Sequence, residues 1–215
     1  GEELDLLILK SLEESSNFLG SFINKKTGLM PNWGANDGSK IFDLSDKTYL
    51  DFRPLLSLIS VISSTSIPFL DKGSLSEISL FFDLSVDETK SIKDLSKSNL
   101  IKLNRIQGVH SVSDTNNNID ILFRCGSINN RYALHADQLH IDLSIQNTQV
   151  FQGSGSYNYN KDINAHNYFR GTKSKNTITI NGESQMIHHR KFKFLKWTSS
   201  HLLTSRIDLG KNFLI

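Results

Sequence analysis

Two histidines and an aspartate fall within His135-Ala136-Asp137-Gln138-Leu139-His140, the densest titratable cluster of this 215-residue chain. On a strand, the side-chain period of two puts His135 and Asp137 on one face. A carboxylate there can orient an imidazole for proton transfer. The same spacing also serves a histidine that only holds a neighbouring carboxylate, and residue types alone leave both readings open. His188-His189 sits in a basic run and reads as a solvated turn. Gly153-Ser154-Gly155-Ser156 is glycine-rich, but Tyr157-Asn158-Tyr159 follows it instead of a helix, so no phosphate cradle is expected. The chain has no GxGxxG, Walker loop, HExxH or GxSxG, which argues against nucleotide binding and the common hydrolase designs. A single cysteine, Cys125, excludes an intrachain disulfide framework and any multi-cysteine zinc site.

The elements that must position these residues follow from hydrophobic period, which changes near residue 100. Before it, Leu4, Leu7, Leu12, Phe18, Leu19 and Phe22 recur at helical spacing, and Asn24 to Gly28 end the run. An Asn-, Gly- and Asp-rich loop spans 29–46. The pattern predicts a second helix over 47–64, with Pro54 in its first turn or kinking it. A short third helix starts at Ser74 and carries Ile78, Phe81 and Phe82. After residue 100 the pattern alternates. Ile119, Ile121, Phe123 and Cys125 share one strand face, and Leu139, Ile141, Leu143 and Ile145 alternate with His140, Asp142, Ser144 and Gln146. Thr177–Ile180 runs into Asn181-Gly182, a two-residue hairpin signal, and Lys191–Phe194 alternates again. With no helical pattern between strands, the sheet is expected to be antiparallel and sandwich-like. The Ser/Lys-rich stretch 90–102 is the candidate join, giving a helical part over 1–100 and a strand part over 101–215.

Composition narrows the function classes. Hydrophobic residues make up 38% and charged residues 21%, the balance of a globular protein. No apolar run reaches the length of a membrane span. The acidic start (Glu2, Glu3, Asp5) is unlike a signal peptide, and the first methionine is Met30, so a portion of a longer protein is expected. The net charge of +2 is uneven: 10 basic against 15 acidic side chains over 1–100, 8 against 6 over 101–183, and 6 against 1 over 184–215. The basic end suits an anionic partner or a solvated strand face equally. No nucleic-acid partner is expected.

Taken with their neighbours, these residues resemble a family. Arg124-Cys125-Gly126, then His135-Ala136-Asp137-Gln138-Leu139-His140-Ile141-Asp142-Leu143, is similar to the heparinase II/III-like signature near the start of its β-sandwich. The similarity continues through Gly155-Ser156-Tyr157-Asn158-Tyr159, Asn167-Tyr168-Phe169-Arg170-Gly171-Thr172 and Asn176-Thr177-Ile178-Thr179-Ile180-Asn181-Gly182. Gln185-Met186 and Phe194-Leu195-Lys196-Trp197 extend it. Upstream, Pro31-Asn32-Trp33-Gly34-Ala35-Asn36-Asp37-Gly38 and Asp51-Phe52-Arg53-Pro54 resemble the loop and helix late in the family's α/α toroid.

The resemblance implies an α+β chain: the C-terminal end of an (α/α) toroid followed by part of an antiparallel β-sandwich. It also implies a polysaccharide lyase-like protein that cleaves a uronate-containing glycan by β-elimination, of the type encoded with bacterial surface-polysaccharide genes. The periplasm or cell surface is the corresponding location. The alternative is a non-catalytic glycan-binding or scaffold domain derived from the same fold. His135 matches the β-domain histidine of the family and is the catalytic candidate. Asn32, Asp37 and Arg53, near the expected inter-domain cleft, and Tyr157, Tyr168 and Arg170 are the candidate substrate contacts. The Asn and Tyr that complete the family's site have no counterpart in this chain, so the isolated chain is expected to be inactive. Some members hold zinc through His, Asp and His; the positions here are His135, Gly153 and Lys175, so no metal and no cofactor are expected.

Overall fold

A computed structural model describes residues 5–24, 26–32, 34, 36, 38–40, 45–63, 79, 102–106, 108–114, 116–126, 135–157, 161–190, 193–203, 207–208 and 213–214. The chain divides into two compact units, Gly1–Met30 with Gly38–Ser98, and Pro31–Asp37 with Asn99–Ile215. Residues 31–37, in the helical part of the sequence, thus pack with the second unit.

In the first unit, helix α1 spans Leu6–Gly20. The Asp5 carboxylate caps it, accepting the Leu7 N–H at 2.7 Å. Helix α2 covers Arg53–Ser63, six residues shorter at its start than the pattern predicts. Pro54 sits in its first turn, where the missing N–H has no helical partner to lose. Residues before it turn instead, with Leu29 bridging to Asp51. Ile23, Leu56 and Ile59 form the buried core, with Leu12, Leu19, Met30 and Phe52 against it. Gly28 sits at φ +75°, a conformation L side chains rarely adopt, and a Cβ there would also displace the Arg53 side chain. The expected third helix from Ser74 lies outside the described residues apart from Ser79, and the 90–102 join lies outside them apart from Lys102. No described helix is long and apolar enough to cross a membrane.

The second unit is built on a five-stranded antiparallel meander, β1 (Lys102–Ile106), β2 (Val109–Asp114), β3 (Ile119–Arg124), β4 (Ile141–Ile145) and β5 (Thr148–Phe151). Ile119 of β3 faces Ile145 of β4, and Phe123 faces Ile141. The β4–β5 turn uses Gln146 and Asn147, both at positive φ, the backbone a tight hairpin requires. A short helix α3 (Ile163–Arg170) follows, then a 3-10 turn at Thr172–Ser174. The paired strands β6 (Ile187–Arg190) and β7 (Lys193–Leu195), and β8 (Ile207–Asp208) with β9 (Phe213–Leu214), complete the chain. Ala136, Met186 and Phe194 make a second buried cluster. The protein is therefore α+β with antiparallel sheets.

Three local findings differ from the sequence pattern. Helix α3 stands where no helical period is visible. Asp162 nucleates it by accepting the N–H groups of Asn164 and Ala165, and its buried residues are His166 and Arg170, both polar. In β4 the polar face is the buried one: Asp142 is 3% and Ser144 7% exposed, while Ile141 and Ile145 are each 38% exposed. Asp142 is buried because its carboxylate serves as a hydrogen-bonding hub, described below. Finally, the Asn181-Gly182 turn forms at positive φ, yet its flanks are joined only by an Ile180–Glu183 bridge. The Gln185 side-chain amide explains this, because it binds the backbone of Gln138 and the carbonyl of Ile178.

Candidate functional site

The segment 135–140 is not a strand. It turns at Leu139, at φ +61°, and is fixed by backbone bonds from Ala136 N–H to Arg170 O (2.8 Å) and from Leu139 N–H to Arg124 O (2.7 Å). The i, i+2 geometry that would pair His135 with Asp137 is therefore lost. Asp137 instead binds Arg124 Nη1 at 2.9 Å, and burial pushes its carboxyl pKa up while the Arg124 charge opposes this. His135 Nε2 lies 3.2 Å from Ser156 Oγ, and its Nδ1 is buried with no hydrogen-bond partner. Burial first, then the charges of Lys175, Arg170 and Arg124, hold the His135 pKa down at about 2. The imidazole is thus neutral at ordinary pH.

The histidine–carboxylate pair that does form is one the pattern did not single out. His140 Nδ1 accepts the Asn176 N–H at 3.1 Å, so the proton sits on Nε2 and is donated to Asp142 Oδ2 at 3.2 Å. The other Asp142 oxygen accepts the Gly153 N–H at 2.6 Å. Asp142 thereby anchors the 153–156 segment whose Ser156 touches His135. The i, i+2 spacing read at His135 and Asp137 recurs at His140 and Asp142, and at the start of β4 it does bring the two together.

Asn32 belongs to the same cluster. Its backbone carbonyl lies where a Gly153 Cβ would stand, at 2.3 Å, and its side chain is 2.8 Å from the corresponding point on Gly155. Asn32 Oδ1 accepts from Asn36 Nδ2 at 2.8 Å. Lys175 Nζ donates to Ser154 Oγ at 3.0 Å and to the Gly155 carbonyl at 3.2 Å. The segment 153–156 thus gathers Asn32, His135, Asp142 and Lys175.

The next residue, Tyr157, is 65% exposed, and its ring stacks on Phe169 at 5.3 Å and 23°. Tyr168, 55% exposed, meets the same Phe169 edge-on at 5.4 Å. Phe169 is the contact that residue-by-residue reading missed, although it stands between two candidates in sequence. Arg170, by contrast, is 1% exposed, 3.4 Å from His166 Nε2 and over the Phe194 ring at 4.5 Å. Helix α3 therefore presents Tyr168 outward and Arg170 inward. Arg53 lies in the first unit, bound by its guanidinium to both oxygens of Asp51. Asp37 lies outside the described residues.

The donors do not fit zinc. Among the described residues, no three His, Cys, Asp or Glu side chains are grouped to hold a metal. The Asn32 carbonyl closes Gly153 to any side chain, and Lys175 brings a cation to the place of a ligand.

No curated protein and no solved structure matches the chain. A family model described as Heparinase II/III-like, C-terminal, matches residues 88–212, more than half of the chain and all of the cluster except Asn32. The chain belongs to the heparinase II/III-like family.

Proposed function

We propose that this chain is part of a polysaccharide lyase-like protein, and that its second unit binds an acidic, uronate-containing glycan. The observation that carries this reading is the pair of exposed rings Tyr157 and Tyr168 packed on half-buried Phe169, beginning one residue beyond the Ser156 that touches His135. Flat aromatic faces take the apolar faces of sugar rings. β-Elimination at a uronate needs its carboxylate neutralised, a base for the C5 proton and an acid for the leaving oxygen. His135 is the candidate base. It is already neutral; burial first, then the nearby cations, depress its basicity, and an incoming carboxylate would oppose the cations' share. The proposed contacts on the second unit are Asn32, Tyr157 and Tyr168; Arg53 belongs to the first unit and Asp37 lies outside the described residues, so neither enters this site. Arg170 acts from beneath, through its charge on His135.

A second reading is a non-catalytic glycan-binding domain, favoured by the 2% exposure of His135. One experiment separates the two. Uronate polysaccharides are incubated with the full gene product and the absorbance of the unsaturated product is recorded. Turnover that disappears in His135→Ala supports the lyase. Glycan binding without turnover leaves the binding domain. The 215-residue chain alone is expected to bind without turnover.

A further inference from the structure

Lys175 is half-buried and, among the described residues, has no ion-pair partner. Its two hydrogen bonds, to Ser154 Oγ and the Gly155 carbonyl, leave one of the three ammonium N–H donors unused. The carboxylates that face it, Asp137 and Asp142, are committed elsewhere: Asp137 to Arg124, and Asp142 to Gly153 N–H and His140. Among the described residues none lies within ion-pair distance of Nζ. The other charged or titratable groups facing it are Arg124 and His135. Its two acceptors stand two and three residues before Tyr157, on the segment that ends in the exposed aromatic group.

We propose that Lys175 is the cation that recognises the carboxylate of the acidic sugar. The proposal rests on the acidic-glycan reading and adds to it the group that selects the anion. A charged lysine with a spare donor, and with its facing carboxylates bound to other groups, is poorly suited to holding a fold together but well suited to an anionic ligand. Burial, only partly opposed by Asp137 and Asp142, lowers its pKa to about 8. The free site therefore carries this charge at neutral pH and loses it in mild alkali. A bound carboxylate favours the ammonium, so the alkaline limit of binding lies above the free-site value.

The test uses the 215-residue chain with mannuronate, galacturonate and glucuronate tetrasaccharides and their carboxyl-reduced counterparts, measured by calorimetry. At pH 6.5 the wild type is expected to prefer a uronate over its reduced form by about tenfold to a hundredfold, the worth of one charge-assisted hydrogen bond. That ratio should fall toward one as pH rises above about 8. It should also be near one in Lys175→Met, and Lys175→Arg should restore part of it. The wild-type pH profile keeps the test valid even where a variant folds poorly. A preference that is flat from pH 6.5 to 9.5, or unchanged in a folded Lys175→Met, overturns the role of Lys175 while leaving the glycan reading in place. Binding to neither form of any glycan overturns the glycan reading itself.

Discussion

Removing the Asp142 carboxylate tests whether a buried polar hub, rather than apolar burial, holds the site together. Asp142 is 3% exposed and accepts two hydrogen bonds, from Gly153 N–H at 2.6 Å and from His140 Nε2 at 3.2 Å. In Asp142→Ala both donors stay buried without an acceptor, and each such group costs about 1–3 kcal/mol. The sum, about 2–6 kcal/mol, is large against total stabilities on the order of 5–15 kcal/mol. Asp142→Asn keeps the shape and one acceptor. Its carbonyl can take the Gly153 N–H, but its amide N–H₂ then opposes the His140 N–H, so about half of the loss should remain. Urea denaturation followed by circular dichroism reads both, as a lowered midpoint at unchanged slope. Ordering of wild type above Asn above Ala is the expected result. An Ala variant within about 0.5 kcal/mol of wild type, the range of an unremarkable surface change, would refute the reasoning.

Other expectations follow from the same geometry. The His135 imidazole should remain neutral at pH 5 in nitrogen-detected NMR, and a protonated ring there would contradict its burial beside Lys175. Because its folded pKa of about 2 lies below the ordinary 6.5, the unfolded chain binds the proton first, so this group lowers stability as pH falls from 6.5 toward 2. Lys175 acts with the same sign in a higher window. With a folded pKa of about 8 against 10.5, the wild type should gain stability relative to Lys175→Met as pH rises from 8 to 10, and a constant difference would count against the shift. Gly153→Asp should destabilise the unit and bind no zinc, because its Cβ meets the Asn32 carbonyl at 2.3 Å; a zinc-dependent rise in melting temperature would overturn that. Tyr157→Ala should weaken glycan binding about three- to tenfold, the worth of one aromatic contact, with little change in urea midpoint, since the ring is 65% exposed.

Much of this protein is legible in its residues. The helical stripe through Leu7, Leu12, Phe18 and Leu19 became α1, and the alternation at Ile119 and Ile141 became β3 and β4 in register with each other. The rest was hidden for definite reasons. Helix α3 buries His166 and Arg170 rather than leucines, so hydrophobic period could not reveal it; its readable signal was the Asp162 cap. The His135–Asp137 spacing read as a strand because nothing local foretold the positive φ of Leu139. The burial of Asp142 needed two distant donors, Gly153 and His140, which meet it only in the folded unit. Burial of Arg170 over the Phe194 ring is likewise tertiary, since position on a helix does not by itself say which side meets the core.

The most direct test of the acidic-glycan site is a titration of the isotope-labelled 215-residue chain with a uronate tetrasaccharide, followed by NMR shift mapping. The account predicts shifts centred on Ser156, Tyr157, Tyr168 and Phe169, with His135 and Lys175 responding. Shifts confined to other surfaces, or none with any uronate, would contradict it.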